Sequence, residues 1–112
     1  MSMRISAATL WRAAIIPISA LPLPVLWLRA SATGIGVSIT ANKIKGIRCA
    51  HCADCLEAEM TRRHNDANMM AIGAGFTGKN MAERMVEVFL TTEFEGGRHE
   101  RRVNKMMALE QE

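Results

Sequence analysis

The chain has 112 residues, of which 49% are hydrophobic, and a formal net charge of +3. That length holds one domain, and that apolar content excludes a globally disordered chain. The placement of charge excludes a nucleic-acid-binding face: Arg4, Arg12 and Arg29 precede Ser31, no acid occurs before Asp54, and 11 basic and 11 acidic residues cancel from Ser31 onward.

Residues 1–30 differ in composition from the rest. All the prolines (Pro17, Pro22, Pro24) and both tryptophans (Trp11, Trp27) lie there. Ala13 to Leu28 is almost wholly apolar, but it is short for a membrane span and holds every proline. Arginines before it and Ala30-Ser31-Ala32 after it imitate a secretory signal. The same arginines and serines, without acid, suit an organelle transit peptide. A wrong gene model or a shifted reading frame would also produce such a break. Val25-Leu26-Trp27-Leu28 could instead supply a buried strand. The division is therefore a prefix over 1–30 and a domain over 31–112.

After the prefix, Thr33-Gly34-Ile35-Gly36 reads as a turn and Ile35 to Lys43 as a short helix ended by Gly46. Ile47 to Cys52 reads as a strand. Asp54 followed by Glu57 has the spacing of a capping box, which opens a helix running to about Arg63 with Leu56 and Met60 on one face. Asn65-Asp66 is turn chemistry. Asn68 to Ala74 is short, apolar and closed by glycines, as a buried strand is. Thr77-Gly78-Lys79-Asn80 opens the longest helix, with Met81, Met85, Val88 and Phe89 as its core stripe. Gly96-Gly97 breaks the chain, and Arg98 to Glu110 reads as a terminal helix. Strands alternating with helices imply a parallel α/β sheet of Rossmann-like type.

Several groups carry chemistry. A glycine turn opening into a helix presents backbone N–H groups and partial positive charge, which suit a phosphate or an oxyanion. Arg98 and Arg102 are four apart and share a helix face, and a guanidinium fork matches a pair of phosphate oxygens. Cys49, Cys52 and Cys55 have the C-x2-C-x2-C spacing of part of an iron–sulfur or zinc site, with His51 among them. No fourth cysteine exists, and Cys49 and Cys52 fall three apart on an expected strand, pointing to opposite faces. Free thiols in a reducing compartment are the expectation, against secretion.

Order and spacing of Thr33-Gly34-Ile35-Gly36-Val37-Ser38-Ile39-Thr40-Ala41-Asn42-Lys43, of His64-Asn65-Asp66-Ala67-Asn68, and of Gly96-Gly97-Arg98-His99 with Arg102 resemble the type B ribose-5-phosphate isomerases and the galactose-6-phosphate isomerase subunits. The resemblance runs from about Thr33 to Met107. It implies an aldose–ketose isomerase that interconverts ribose 5-phosphate and ribulose 5-phosphate through an enediolate, without metal or other cofactor. It also implies that Gly34, Ile35 and Gly36 supply N–H groups to the substrate oxygens and that Thr33 offers its hydroxyl to the same atoms. His64 would be the general acid that opens the furanose ring, Asn65 would hold a substrate hydroxyl, and Arg98 and Arg102 would bind the phosphate. Expected partners are a phosphorylated sugar and further copies of the chain, in a homodimer or higher homo-oligomer with sites at the subunit interface. No nucleic acid is expected, nor a membrane unless the prefix is a real leader, and the expected location is cytoplasmic.

Three departures accompany the resemblance. Ser31 stands where most members carry the cysteine base, and a serine hydroxyl is a far weaker acid than a thiol. Gly75 stands where an arginine is expected. Two strand–helix units, with an Asp-His pair that helps hold substrate, have no counterpart before Thr33. The expected fold is therefore a truncated Rossmann-like parallel sheet with helices on both faces. The alternative function is a non-catalytic remnant that binds sugar phosphate or associates with full-length subunits.

Overall fold

A computed structural model describes residues 27–111. In chain order the elements are β1 (Trp27–Ser31), α1 (Ile35–Ala41), β2 (Cys49–His51), α2 (Cys55–Asn65), β3 (Met69–Gly73), α3 (Lys79–Thr91) and α4 (Arg98–Ala108), with a closing 3-10 turn at Leu109–Gln111. The strands form one parallel sheet in the order β1-β3-β2. Trp27 lies opposite Met69 and Ser31 opposite Gly73, while Cys49 lies opposite Met69 and His51 opposite Ala71. β1 takes in Trp27 and Leu28 of the Val25–Leu28 stretch read from the sequence and reaches Ser31; Val25, Leu26 and the rest of the prefix before Trp27 lie outside the described residues.

β3 is flanked on both sides, and all five of its residues are buried. A parallel strand covered on both faces loses the usual alternation and reads as an apolar run. Its side chains still alternate between two cores. Met69 packs with Ala41 and Val37 of α1 on one face. Met70 and Ile72 pack with Ala58 of α2 and with Met85 and Phe89 of α3 on the other. Helices thus cover both faces of a parallel sheet, as the sequence led us to expect.

Local chemistry sets the helix ends. Asp54 Oδ1 accepts a hydrogen bond from the Glu57 N–H (2.8 Å), and Glu57 Oε1 accepts one from the Ala53 N–H (2.7 Å), so the expected capping box closes one residue further upstream than usual. α2 stops at Asp66, whose φ of 45° is left-handed and whose N–H donates to the Arg62 carbonyl. α1 stops at Ala41 because Asn42 turns its carboxamide onto β2: it donates to the Cys49 carbonyl (2.9 Å) and accepts from the Cys49 N–H (2.7 Å).

Two apolar positions singled out in the sequence, Leu56 on its helix face and Met81 in the core stripe, face water. Leu56 is 65% exposed, and the buried side of α2 is made by Ala58, Thr61 and Arg62, where the helix packs between α3 and α4. Met81, in the first turn of α3, is 42% exposed, while Met85 and Phe89 are fully buried. Arg62 is the main polar group of this core. Its guanidinium donates to Asp66 Oδ1 (2.8 Å), to the Ala67 carbonyl (2.7 Å) and to the Thr92 carbonyl (3.3 Å), and lies 5.8 Å from the Phe89 ring centre. No helix among the described residues is long and apolar enough to cross a membrane.

Candidate active site

The glycine turn sits at the carboxyl end of the strands. Gly34 has φ 78°, a left-handed conformation that costs an L side chain about 1–2 kcal/mol. Space is equally restrictive, because a Cβ there would lie 3.0 Å from the Gly73 nitrogen and from His51 Cδ2. Gly73 answers from below: a Cβ on it would meet the Thr33 carbonyl oxygen at 2.5 Å. These glycines let the turn fold down onto the ends of β3 and β2. Thr33 Oγ1 accepts a hydrogen bond from the Ile35 N–H at 3.2 Å, which leaves its own O–H proton to donate. The Gly75 N–H donates to the Ala32 carbonyl at 2.9 Å, and a Cβ at residue 75 would meet that same oxygen at 2.9 Å. A side chain here would displace the turn, so the arginine expected near this point has no place on residue 75 in the present backbone.

The other expected residues gather at the opposite end. His64 is in the last turn of α2, and its imidazole stacks on that of His99 with ring centres 4.2 Å apart and planes 10° from parallel. His99 lies in the first turn of α4 between Arg98 and Arg102, both exposed. The stack therefore docks the α4 start against the α2 end. The Glu95 N–H adds a hydrogen bond to the Arg63 carbonyl (3.1 Å), and the Glu95 carboxylate reaches His99 Nε2 (3.5 Å) and Arg63 Nη1 (3.6 Å). Burial, then the nearby His64 and Arg98, hold the His99 pKa below the ordinary imidazole value against the opposing pull of Glu95. Asn65 exposes its side chain, while its carbonyl accepts from Arg48 Nε at 3.2 Å. Asp66 is structural: it sits between the guanidiniums of Arg62 and Arg48 (2.8 and 3.6 Å).

One chain does not unite these groups. α2 runs back from the carboxyl ends of the strands to their amino ends, and its 11 residues span about 16 Å. The turn of Thr33, Gly34, Ile35 and Gly36 is therefore separated from His64, Asn65, Arg98 and Arg102 by the height of the sheet. A cleft of about 570 Å³ between β2 and the end of α4 includes Asn65 but none of the other expected site residues. Ser31 closes β1 opposite Gly73, on the same side of the molecule as the turn.

His99 and Glu95 escaped sequence reasoning. His99 was visible beside Arg98, but its partner lies 35 positions away, and only the docking of α4 on α2 reveals the pair. The cysteines are free thiols, with Cys52 buried and Cys49 and Cys55 half-buried. Burial pushes the Cys49 pKa up to about 11; burial, with Glu57 second, pushes that of Cys52 up to about 12.

Residues 28–106 match the family model described as Ribose/Galactose Isomerase. The chain belongs to the ribose/galactose isomerase family. Within the family it is 43% identical to ribose-5-phosphate isomerase B of Escherichia coli over 79 residues, covering 70% of this chain and 53% of that protein. It is 47% identical over 77 residues to the galactose-6-phosphate isomerase subunit LacA of Clostridium acetobutylicum, covering 66% of this chain and 54% of that one. Ribose-5-phosphate isomerase B from Mycoplasma genitalium, solved with bound ribulose-5-phosphate, superposes with a TM-score of 0.76 at 36% identity, over 78% of this chain and 57% of that one. The chain spans about half the length of the relatives it matches. The parallel α/β fold of the family is thus shared over the matched half, and both the glycine turn and the His64–His99 corner fall inside it.

Proposed function

We propose that this family member binds a phosphorylated sugar and takes part in aldose–ketose isomerisation, with ribose 5-phosphate and ribulose 5-phosphate as the substrate pair. The observation that carries the reading is the corner where the stacked His64 and His99 adjoin Arg98 and Arg102. A titratable imidazole next to two exposed guanidiniums suits a sugar phosphate, with the arginines on the phosphate and His64 at the ring oxygen as general acid. Asn65 would hold a neighbouring hydroxyl. The Gly34–Gly36 turn and the Thr33 hydroxyl would steady the enediolate oxygens, the Ile35 N–H bond to Thr33 Oγ1 leaving the O–H proton to do so. Because these two sets stand at opposite ends of the sheet, a working site would pair the turn of one copy with the His64 corner of a second. That arrangement supports a homodimer or a higher homo-oligomer.

A second reading is binding without turnover. Ser31 favours it, since no thiol stands at the position of the family's base and a serine hydroxyl stays protonated at neutral pH. General acid–base catalysis is typically worth ~10²–10⁴-fold, so losing the base alone would leave little activity.

Calorimetric titration with ribose 5-phosphate tests the shared part of both readings. A charge-assisted hydrogen bond contributes about 1.5–3 kcal/mol, so Arg102→Ala should weaken binding by about tenfold or more. Arg102→Lys keeps the charge but loses the planar fork and should weaken it too. Arg101→Ala, on another side of α4, should change little. Equal losses at Arg101 and Arg102 would mean a diffuse basic surface and would sink the proposal.

A further inference from the structure

His64, Glu95 and His99 each offer one ligand atom, and the three atoms lie within 4.8 Å of one another. They come from three places in the chain. His64 closes α2, and His99 is in the first turn of α4. Glu95 precedes Gly96 and Gly97, whose φ values of 71° and 57° fold the chain back so that the carboxylate meets the helix it precedes. The Glu95 N–H bond to the Arg63 carbonyl fixes this return. The cluster is therefore built by backbone geometry rather than by a chance meeting of surface side chains.

We propose that His64, Glu95 and His99 form a binding site for a divalent transition-metal ion of the zinc type. Two imidazoles and one carboxylate are a donor set that zinc takes as three protein ligands, with a fourth position left to water. Calcium and magnesium call for more oxygen donors than this corner holds. His99 is buried where α4 docks on α2. Glu95 Oε1 stands 3.5 Å from His99 Nε2, close to the ligand separation within a metal sphere. The stacked rings lie in nearly parallel planes, so one must turn about its side-chain torsions to share an ion. His64, half-buried at a helix end, has the room to do so.

Neighbouring charge works against the ion. Arg63 competes for Glu95 from 3.6 Å, and Arg98 and Arg102 flank His99 in sequence. A dication beside three guanidiniums binds less tightly than in an acidic pocket, and removing Arg63 should therefore strengthen binding. The metal also occupies the ring nitrogen from which the proposed function has His64 donate a proton. It is thus an inhibitor on that reading, while binding itself does not depend on it.

Cobalt(II), added to the full chain after chelator treatment and followed by calorimetry and visible absorption, tests the proposal. One ion per chain is expected, without a thiolate-to-cobalt charge-transfer band. Glu95→Gln and His99→Asn should each weaken binding by about tenfold or more, and Arg63→Gln should tighten it. Glu95 is exposed, so Glu95→Gln keeps the fold and decides the matter if His99→Asn does not fold. Unchanged affinity in Glu95→Gln, or a thiolate band that places the ion on the cysteines, would overturn the site.

Discussion

Asp66 holds the end of α2 in place, and replacing it measures what that costs. Its carboxylate faces the Arg62 guanidinium at 2.8 Å and the Arg48 guanidinium at 3.6 Å, with Arg62 almost wholly buried and Asp66 itself about a third exposed. The Arg62 contact is a charge-assisted hydrogen bond of about 1.5–3 kcal/mol. The longer, wetter Arg48 contact adds roughly 0–1 kcal/mol. Asp66→Ala should therefore destabilise by about 1.5–4 kcal/mol. Arg62 keeps its bonds to the Ala67 and Thr92 carbonyls, which holds the loss below that of a fully orphaned charge. Asp66→Asn retains an acceptor oxygen and the tolerance for left-handed φ, so a loss of about 1–2 kcal/mol is expected. For a domain of this size that is a fall in Tm of roughly 5–15 °C. Asp66→Gly should fall between the two, because glycine relieves the φ of 45° while losing both ion pairs. Differential scanning calorimetry of the three variants ranks them. If Asp66→Asn melted within about 2 °C of the parent, a value well under the expected shift, Asp66 would be a surface turn residue and the Arg62 pairing would be idle.

Native-state alkylation gives a second check: at pH 8 Cys49 and Cys52 should react slowly with iodoacetamide, since burial raises their pKa values to about 11 and about 12, and denaturation should release both. Rapid labelling of Cys52 in the folded chain would mean that the core around it opens. Assembly across copies is tested by mixing. In a Ser31→Cys background, Thr33→Ala and His64→Asn chains should each be poor isomerases alone and better together; no gain on mixing, with assembly verified by ultracentrifugation, would place both groups in a site made by one chain.

What could be read from the sequence was local. Asp54 and Glu57 announced the start of α2 because a capping box is complete within a few residues. The apolar run of Met69 to Gly73 announced β3 because burial on both faces leaves no alternation. Met85 and Phe89 were legible as core from helical spacing, but Met81 on the same stripe was not separable from them, since exposure depends on where the first turn of α3 projects. Leu56 shares a helix face with Met60 yet stays exposed, because α2 buries Ala58, Thr61 and Arg62 where two helices pack close. At the candidate site, the arginine pair and the glycine turn were legible as types of residue at a spacing. That they stand at opposite ends of the sheet follows only from the direction of α2, and the contact between His64 and His99 only from tertiary docking.

Asn42 bears on how this sheet can be extended. Its carboxamide offers Cys49 the same donor–acceptor pair that a neighbouring strand would offer, and so acts as a one-residue stand-in for that strand. β2 is only three residues long, so satisfying Cys49 uses much of what it could present on the side away from β3. A further strand seeking a template finds this flank already occupied. Growth of the sheet at β2, whether by more of the same polypeptide or by a segment of another, is thereby discouraged. Replacing Asn42 with a side chain that cannot pair would open the β2 flank to recruitment.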